Sequence, residues 1–339
     1  MTLPTPARQK RSRRAVLSTV ATTLTIALLA VAAAPAALAQ AYPAAGQPIK
    51  MVVPFAAGSG TDQVARALAQ AMSEANHVTV VVDNRPGGNS FIGAQAVANA
   101  PPDGYTMLLT TNSTHAAAEH LFKNVPYDPV KDFTPVALLR KGYLVMVTRP
   151  DFPAANVAEF TAQARREPGK LNFGSGSSSS RVSAELYRQM AGVDITHVPY
   201  KSNPNALTDL VGGQVQVMFV DTSSALSLVK SGKLRGLAVT SNKRLDILPD
   251  LPTLDEAGIK GYEMSYWTAA YLPRNTRPEI AARLGDLLKQ AMGSPELKQL
   301  MEKTGTEVSY GDADMLRRFQ ASETDKWAGI IKAAGIQPE

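Results

Sequence analysis

Met51-Val-Val-Pro-Phe-Ala-Ala-Gly-Ser-Gly-Thr-Asp-Gln-Val-Ala-Arg66 reads as a strand, a glycine-rich turn and the opening of a helix. The apolar run at its start suits a strand, Gly58 and Gly60 punctuate it, and Thr61 or Asp62 suits a helix cap. The first N–H groups of a helix have no intrahelical acceptor, and the helix dipole favours negative charge at that end. Glycine lets a ligand approach the bare backbone. Phe55, Ala56, Gly58, Ser59, Gly60, Thr61 and Asp62 therefore form a candidate anion-binding turn. The same residues also read as a purely structural turn, and this segment alone leaves the two readings open.

Around it, short β runs alternate with helical patterns. Strands are expected at 49–54, 78–82 and 105–110, with helices at 61–74, 91–99 and 115–123 between and after them. The rhythm resumes with strands at 171–173, 195–198, 215–220 and 234–240 and helices at 156–166, 180–190, 205–211 and 222–229. Such alternation predicts an α/β fold with mainly parallel sheets flanked by helices. Two long apolar runs, 134–148 and 262–272, break the rhythm and read as extended strands crossing between two lobes. The remainder, 278–292, 295–303 and 312–334, is helical. The expected division is lobe 1 at 41–146 plus 263–339 and lobe 2 at 147–262.

Leu171-Asn-Phe-Gly-Ser-Gly-Ser-Ser-Ser-Ser180 repeats the strand–turn–helix design in the second lobe. Gly174, Ser175, Gly176, Ser177 and Ser178 offer small, donor-rich contacts, and two such turns at strand ends would face one cleft. Ser113 and Thr114 lie in a third polar loop. Asp221, after the strand at 215–220, suits either a ligand contact or the cap of the following helix. Tyr200 and Trp267 suit a cleft wall or core packing. Recognition by backbone N–H groups is expected, with no arginine-rich pocket.

Enzymatic readings find little support. Gly58-x-Gly60 lacks the third glycine of a dinucleotide fingerprint, and neither a phosphate-binding lysine loop nor a nucleophile elbow occurs. His77, His115, His120 and His197 lack metal-ligand spacing, and the chain has no cysteine. No catalytic residue, metal or cofactor is assigned. The net charge of +6 is concentrated early: Arg8, Lys10, Arg11, Arg13 and Arg14 precede any acidic residue, and the rest is nearly balanced. Nucleic-acid binding thereby loses its main support.

Residues 1–39 read as a signal peptide. A basic segment precedes an uncharged run from Ala15 to Leu38, and Ala37-Leu38-Ala39 offers a cleavage site after Ala39. Ser12-Arg13-Arg14-Ala15-Val16-Leu17 fits both a general export signal and a twin-arginine one. The mature chain is expected to be exported.

Taken together, the motifs resemble the tripartite tricarboxylate transporter substrate-binding family, also called Bug receptors. The resemblance rests on Pro54-Phe55 with Gly58–Asp62, Asn84-Arg85-Pro86-Gly87, Pro102-Asp103-Gly104-Tyr105-Thr106 and Val198-Pro199-Tyr200-Lys201. It continues in Gly232-Lys233-Leu234-Arg235, Leu237-Ala238-Val239-Thr240 and Pro252–Gly258. It implies a periplasmic type II binding fold that closes on a small carboxylate gripped by the turns at Phe55–Asp62 and Gly174–Ser178. Asp221 falls where such receptors often place a ligand-selective side chain. The implied partners are a di- or tricarboxylate, acidic amino acid or aromatic acid and a membrane permease; a monomer is expected. An extracytoplasmic sensor signalling through a membrane protein is the alternative. Ser202-Asn203-Pro204 stands where the family has a glycine turn, as do Ser59 and Gly88-Asn89-Ser90 in place of family residues.

Overall fold

The computed structural model describes residues 1–3 and 42–339, so the signal-peptide reading falls on residues almost all outside the described ones. Every element below belongs to the compact unit Ala45–Glu339. Among the described residues, no helix is long and apolar enough to cross a membrane.

The first part of the unit contains β1 (Ile49–Val53), α1 (Gly60–Asn76), β2 (Val80–Asn84), α2 (Phe91–Ala98) and β3 (Thr106–Thr111). Helix α1 forms because Val64, Leu68 and Met72 recur on one buried face while Arg66 is exposed. Burying each of those three side chains contributes about 1.5–3 kcal/mol. The helix ends at His77, whose left-handed backbone (φ 54°) returns its N–H to the Ser73 carbonyl. β2, β1 and β3 pair in parallel, as βαβ connections require. The next segment, expected as one helix, is two short ones, α3 (Asn112–His115) and α4 (Ala118–Leu121), with Thr111 capping the first through the Ser113 N–H.

Strand β4 (Phe133–Thr148) follows and organises the molecule. It is succeeded by α5 (Val157–Arg166), β5 (Leu171–Ser175), α6 (Ser178–Ala191), β6 (Ile195–Pro199), α7 (Asn203–Val211), β7 (Val217–Asp221), α8 (Thr222–Lys230) and β8 (Arg235–Val239). The chain ends through β9 (Ser265–Pro273), α9 (Pro278–Met292), α10 (Pro295–Thr304), β10 (Glu307–Gly311) and α11 (Ala313–Ala333). From Phe133 to Tyr143, β4 pairs antiparallel with β9, and around Leu138–Lys141 also with β10. From Leu144 to Thr148 it pairs with β7 and β8. Parallel pairing therefore holds in β2-β1-β3 and in β6-β5-β7, while β4 and β9 add antiparallel pairs and make the sheets mixed.

Expected as a crossing strand, the run at 262–272 is shorter, Ser265–Pro273, and pairs only with β3 and the first part of β4. The return passage is made instead by the irregular segment before it, where Pro249, Pro252, Gly258 and Gly261 interrupt regular pairing. Thr240 ties this passage to β4. Its N–H donates to the Leu144 carbonyl, its hydroxyl donates to the Met264 carbonyl, and the Leu144 N–H donates to that hydroxyl. Strand β10 carried no alternating apolar signal, because it is a half-exposed edge held by β4.

His115 is fully buried, stacked on Tyr271 at 3.9 Å and edge-on to Phe133, with Nδ1 2.8 Å from the Thr114 hydroxyl. Burial pulls its pKa down to about 3, so it is neutral in the fold. An unfolded imidazole titrates near 6.5. Between these values the unfolded chain binds more protons, so this term of stability is fully present above about pH 6.5 and declines as pH falls toward 3. The stability lost between pH 7 and 5 in urea titrations is expected to be smaller in His115→Gln by about 2 kcal/mol. An unchanged pH slope would contradict the buried neutral imidazole.

Candidate functional site

Two helix starts meet at one place. Ser59 caps α1, its hydroxyl accepting from the Asp62 N–H at 3.2 Å. Ser177 caps α6 in the same way through the Ser180 N–H at 3.2 Å. Together with Phe55, Gly60, Thr61, Gly176 and Asp221 these residues line a cavity of about 30 Å³. Thr111, Arg140, Leu144, Ser179, Asn203 and Tyr266 complete it. α1 follows β1, in the sheet that includes the first part of β4, whereas α6 and α8 follow β5 and β7, in the sheet that includes its second part.

The two sides touch directly. Asn112 Nδ2 donates to the Ser179 hydroxyl at 3.0 Å, and the Ser178 N–H donates to the Ser113 hydroxyl at 3.3 Å. A Cβ on Gly60 would lie 2.2 Å from Ser223 Oγ and 2.6 Å from Asp221 Oδ2. Glycine is thus required there for the two faces to meet this closely.

Gly176 is equally constrained, since a Cβ would fall 1.9 Å from the Ser202 carbonyl carbon. Its N–H donates to Asn203 Oδ1 at 3.1 Å, and Asn203 Nδ2 donates to Asp221 Oδ1 at 2.8 Å. The Ser202-Asn203-Pro204 departure therefore joins the α6 turn to the end of β7. Asp221 takes the capping role, accepting from the Ser224 N–H of α8 at 3.1 Å, and it also lines the cavity. Ser223 Oγ is a third donor to its carboxylate, at 2.9 Å.

Other expected site residues lie elsewhere. Asp62 is 2% exposed and turned away from the cavity, bracing the turn. It accepts from the Gly58 N–H at 2.9 Å, from Arg66 Nε at 3.0 Å and from Asn84 Nδ2 at 3.0 Å. Burial alone would raise its carboxyl pKa, but those donors outweigh it and hold the group below the usual range. Gly58 borders an outer depression with Pro204 and Leu207, while Ala56 is half-buried beside the turn. Thr114 is sealed in the core, its hydroxyl bonded to Thr110 and His115. Gly174 sits inside β5 against the Tyr200 ring. Trp267 packs edge-on against Phe319 in the core.

A second cavity of about 330 Å³ adjoins the first across Gly176 and Ser177. Ser175, Ser178 and Tyr200 line it, facing Gly87–Ser90. Ser175 Oγ lies 2.7 Å from His197 Nε2, and the imidazole stacks on Phe173. Burial, and next the nearby Arg181 charge, lower the His197 pKa to about 4, so a neutral ring holds this hydroxyl. Among the described residues, no group of three or more His, Asp or Glu is placed to hold a metal ion.

Arg140 is the principal residue that sequence reading missed. It is 0% exposed, and β4 shifts register against β9 between Leu138 and Arg140. Such a bulge re-aims a side chain, and here the guanidinium lines the cavity. A charged residue inside the apolar run Val136–Val147 was the available signal.

The model of the tripartite tricarboxylate transporter family receptor matches residues 64–336. The chain belongs to that family. The receptor is similar to the periplasmic binding protein BugD, at 34% identity and TM-score 0.83 over 86% of this chain and 99% of that one. It is also similar to a Rhodopseudomonas palustris protein solved with adipate, at 34% identity and TM-score 0.85 over 88% and 100%. MatC from Rhodopseudomonas palustris, solved with malate, is 31% identical with TM-score 0.80 over 84% and 98%. The receptor shares their two-lobed α/β binding fold and is a solute-binding protein, not an enzyme.

Gly176→Ala is expected to cost about 1–3 kcal/mol in urea unfolding, because the added methyl meets backbone that has no room to yield. A loss below about 0.5 kcal/mol, the scale of a neutral surface change, would contradict the tight junction with Ser202.

Proposed function

We propose that this receptor captures a small organic carboxylate in the periplasm by closing two lobes over it, and delivers it as a monomer to a membrane permease. The lobes are 41–146 plus 263–339 and 147–262. The change of β4 partners between Tyr143 and Leu144, with the Thr240 tie beside it, supports a hinge there. One observation carries the reading: the starts of α1 and α6, on opposite sides of that change, open onto one cavity. Oriented N–H groups and serine hydroxyls suit a carboxylate. The contacting residues are Phe55, Ser59, Gly60, Thr61, Gly176, Ser177 and Asp221, with Ser175, Ser178 and Tyr200 at the adjoining cavity.

The ligand class is a di- or tricarboxylate, an acidic amino acid or an aromatic acid. The adipate and malate held by two similar proteins fit this class. A cavity of about 30 Å³ is roughly a tenth of the smallest ordinary small-molecule pockets, about 300 Å³. An organic acid therefore enters only as the two faces part, and hinge opening supplies that motion. The family's description, a transporter receptor, supports the permease partner.

Thermal unfolding against a panel of mono-, di- and tricarboxylates, acidic amino acids and aromatic acids tests the reading. At about 100 times its Kd, a ligand adds about 2.7 kcal/mol, a shift of roughly 5–10 °C for a chain of this size. No shift with any acid, in a sample shown by mass spectrometry to carry none, would overturn it. Gly60→Ala separates closure from folding. Its methyl meets Ser223 and Asp221 across the cleft, so affinity for the stabilising acid should fall about tenfold while the unliganded melting temperature holds. Unchanged affinity would contradict closure over Gly60.

A further inference from the structure

A fully buried guanidinium needs an acceptor for each of its N–H groups and an opposite charge nearby, since desolvating an unpaired ion costs several kcal/mol. Arg140 has only part of this. Nε donates to the Thr268 hydroxyl at 3.1 Å and Nη2 to the Gly60 carbonyl at 2.9 Å, both neutral acceptors. Its carbon Cζ lies 5.5 Å from the centre of the Tyr266 ring. Nη1 is buried with no hydrogen-bond partner. Among the described residues no carboxylate lies within 4.0 Å of the group, although thirteen other cationic side chains and His120 have one.

Asp221, the acid lining the same cavity, does not discharge it. Asp221 already accepts from Asn203, Ser223 and Ser224, which leaves the arginine charge without a direct contact. The bond to the Gly60 carbonyl fixes the guanidinium at the first residue of α1, beside the unpaired N–H groups of that helix start. The bulge at Leu138–Arg140 is what points it there.

We propose that Arg140 is the ligand's counter-charge: Nη1 donates to a carboxylate oxygen of the bound acid, at the start of α1. This rests on the carboxylate-binding reading above and adds a fixed positive charge to a site otherwise made of neutral donors. It sets specificity, because an amide in place of that carboxylate brings no negative charge to a buried cation and places an NH₂ donor beside donors. A charge-assisted bond is the stronger kind, and a partner removed on one side leaves the other uncompensated.

The test measures binding of each acid that stabilises the parent, and of the same acid with one carboxylate converted to its amide, to the parent, Arg140→Lys and Arg140→Gln. The parent should prefer the acid over at least one of its amides by 10-fold or more, with roughly 10–100-fold loss of acid affinity in Arg140→Gln. The acid-over-amide preference should shrink in the same variant, which a purely structural arginine would not cause, and Arg140→Lys should keep part of it. Acid affinity in Arg140→Gln within about twofold of the parent, or an unchanged acid-over-amide preference, overturns the proposal and leaves carboxylate binding standing. If no acid stabilises the parent, both readings fall together. Should Arg140→Gln not fold, the crystal structure of the parent with its acid decides: a carboxylate oxygen within hydrogen-bond distance of Nη1 supports the proposal, and water or protein there overturns it.

Discussion

Strand β4 hydrogen-bonds one set of neighbours up to Tyr143 and another from Leu144 onward. Because its backbone donors and acceptors are shared in this way, the two halves of the molecule cannot separate without breaking a continuous strand, and the proposed closure pivots about it. The Thr240 hydroxyl and backbone hold the return passage against the same two residues of β4. That joint is small, polar and fully buried. It places the ends of β1 and β5 opposite one another, and the helices following those strands inherit the same opposition. The candidate site exists because of this geometry, not because of any single side chain.

Much of this was legible in the sequence. The alternation of β-branched runs and amphipathic segments gave the order of elements, since burial on both faces of a strand and one face of a helix leaves distinct periodicities. The turns at Gly58–Asp62 and Gly174–Ser178 were legible because glycine and serine mark backbone that must be approached or capped. What failed to show was tertiary. Asp62 looked like a ligand contact from its place in the motif, but only the fold reveals Arg66, Asn84 and the Gly58 N–H converging on it. Thr114 and His115 are in a polar loop by sequence and in the core by packing against Tyr271 and Tyr127. Strand β10 has no periodic signal, because Glu307 and Val308 are both exposed and Ser309 and Tyr310 both half-buried instead of alternating.

Charge distribution in the site follows from the same constraint. Two helix starts, several serines and one guanidinium point inward, while Asp62 accepts from Gly58, Arg66 and Asn84 and Asp221 from Asn203, Ser223 and Ser224. The site thus presents donors without competing acceptors, an arrangement suited to a water-coated anion that must surrender its shell. Asn203 matters here beyond its size: by bonding Gly176 and Asp221 together, it keeps the second helix start and the acid in fixed register. Preorganisation of this kind lowers the ordering cost of binding.

Closure about β4 is open to direct measurement. The chain has no cysteine, so Asn89→Cys and Lys201→Cys, both exposed and on opposite sides of the larger cavity, can carry a single pair of spin labels. Their distance distribution is recorded by pulsed electron spin resonance with and without the acid found to stabilise the protein. A broad, longer distribution is expected without the acid and a shorter, narrower one with it. The same distribution in both samples, at acid concentrations that saturate binding, would contradict it.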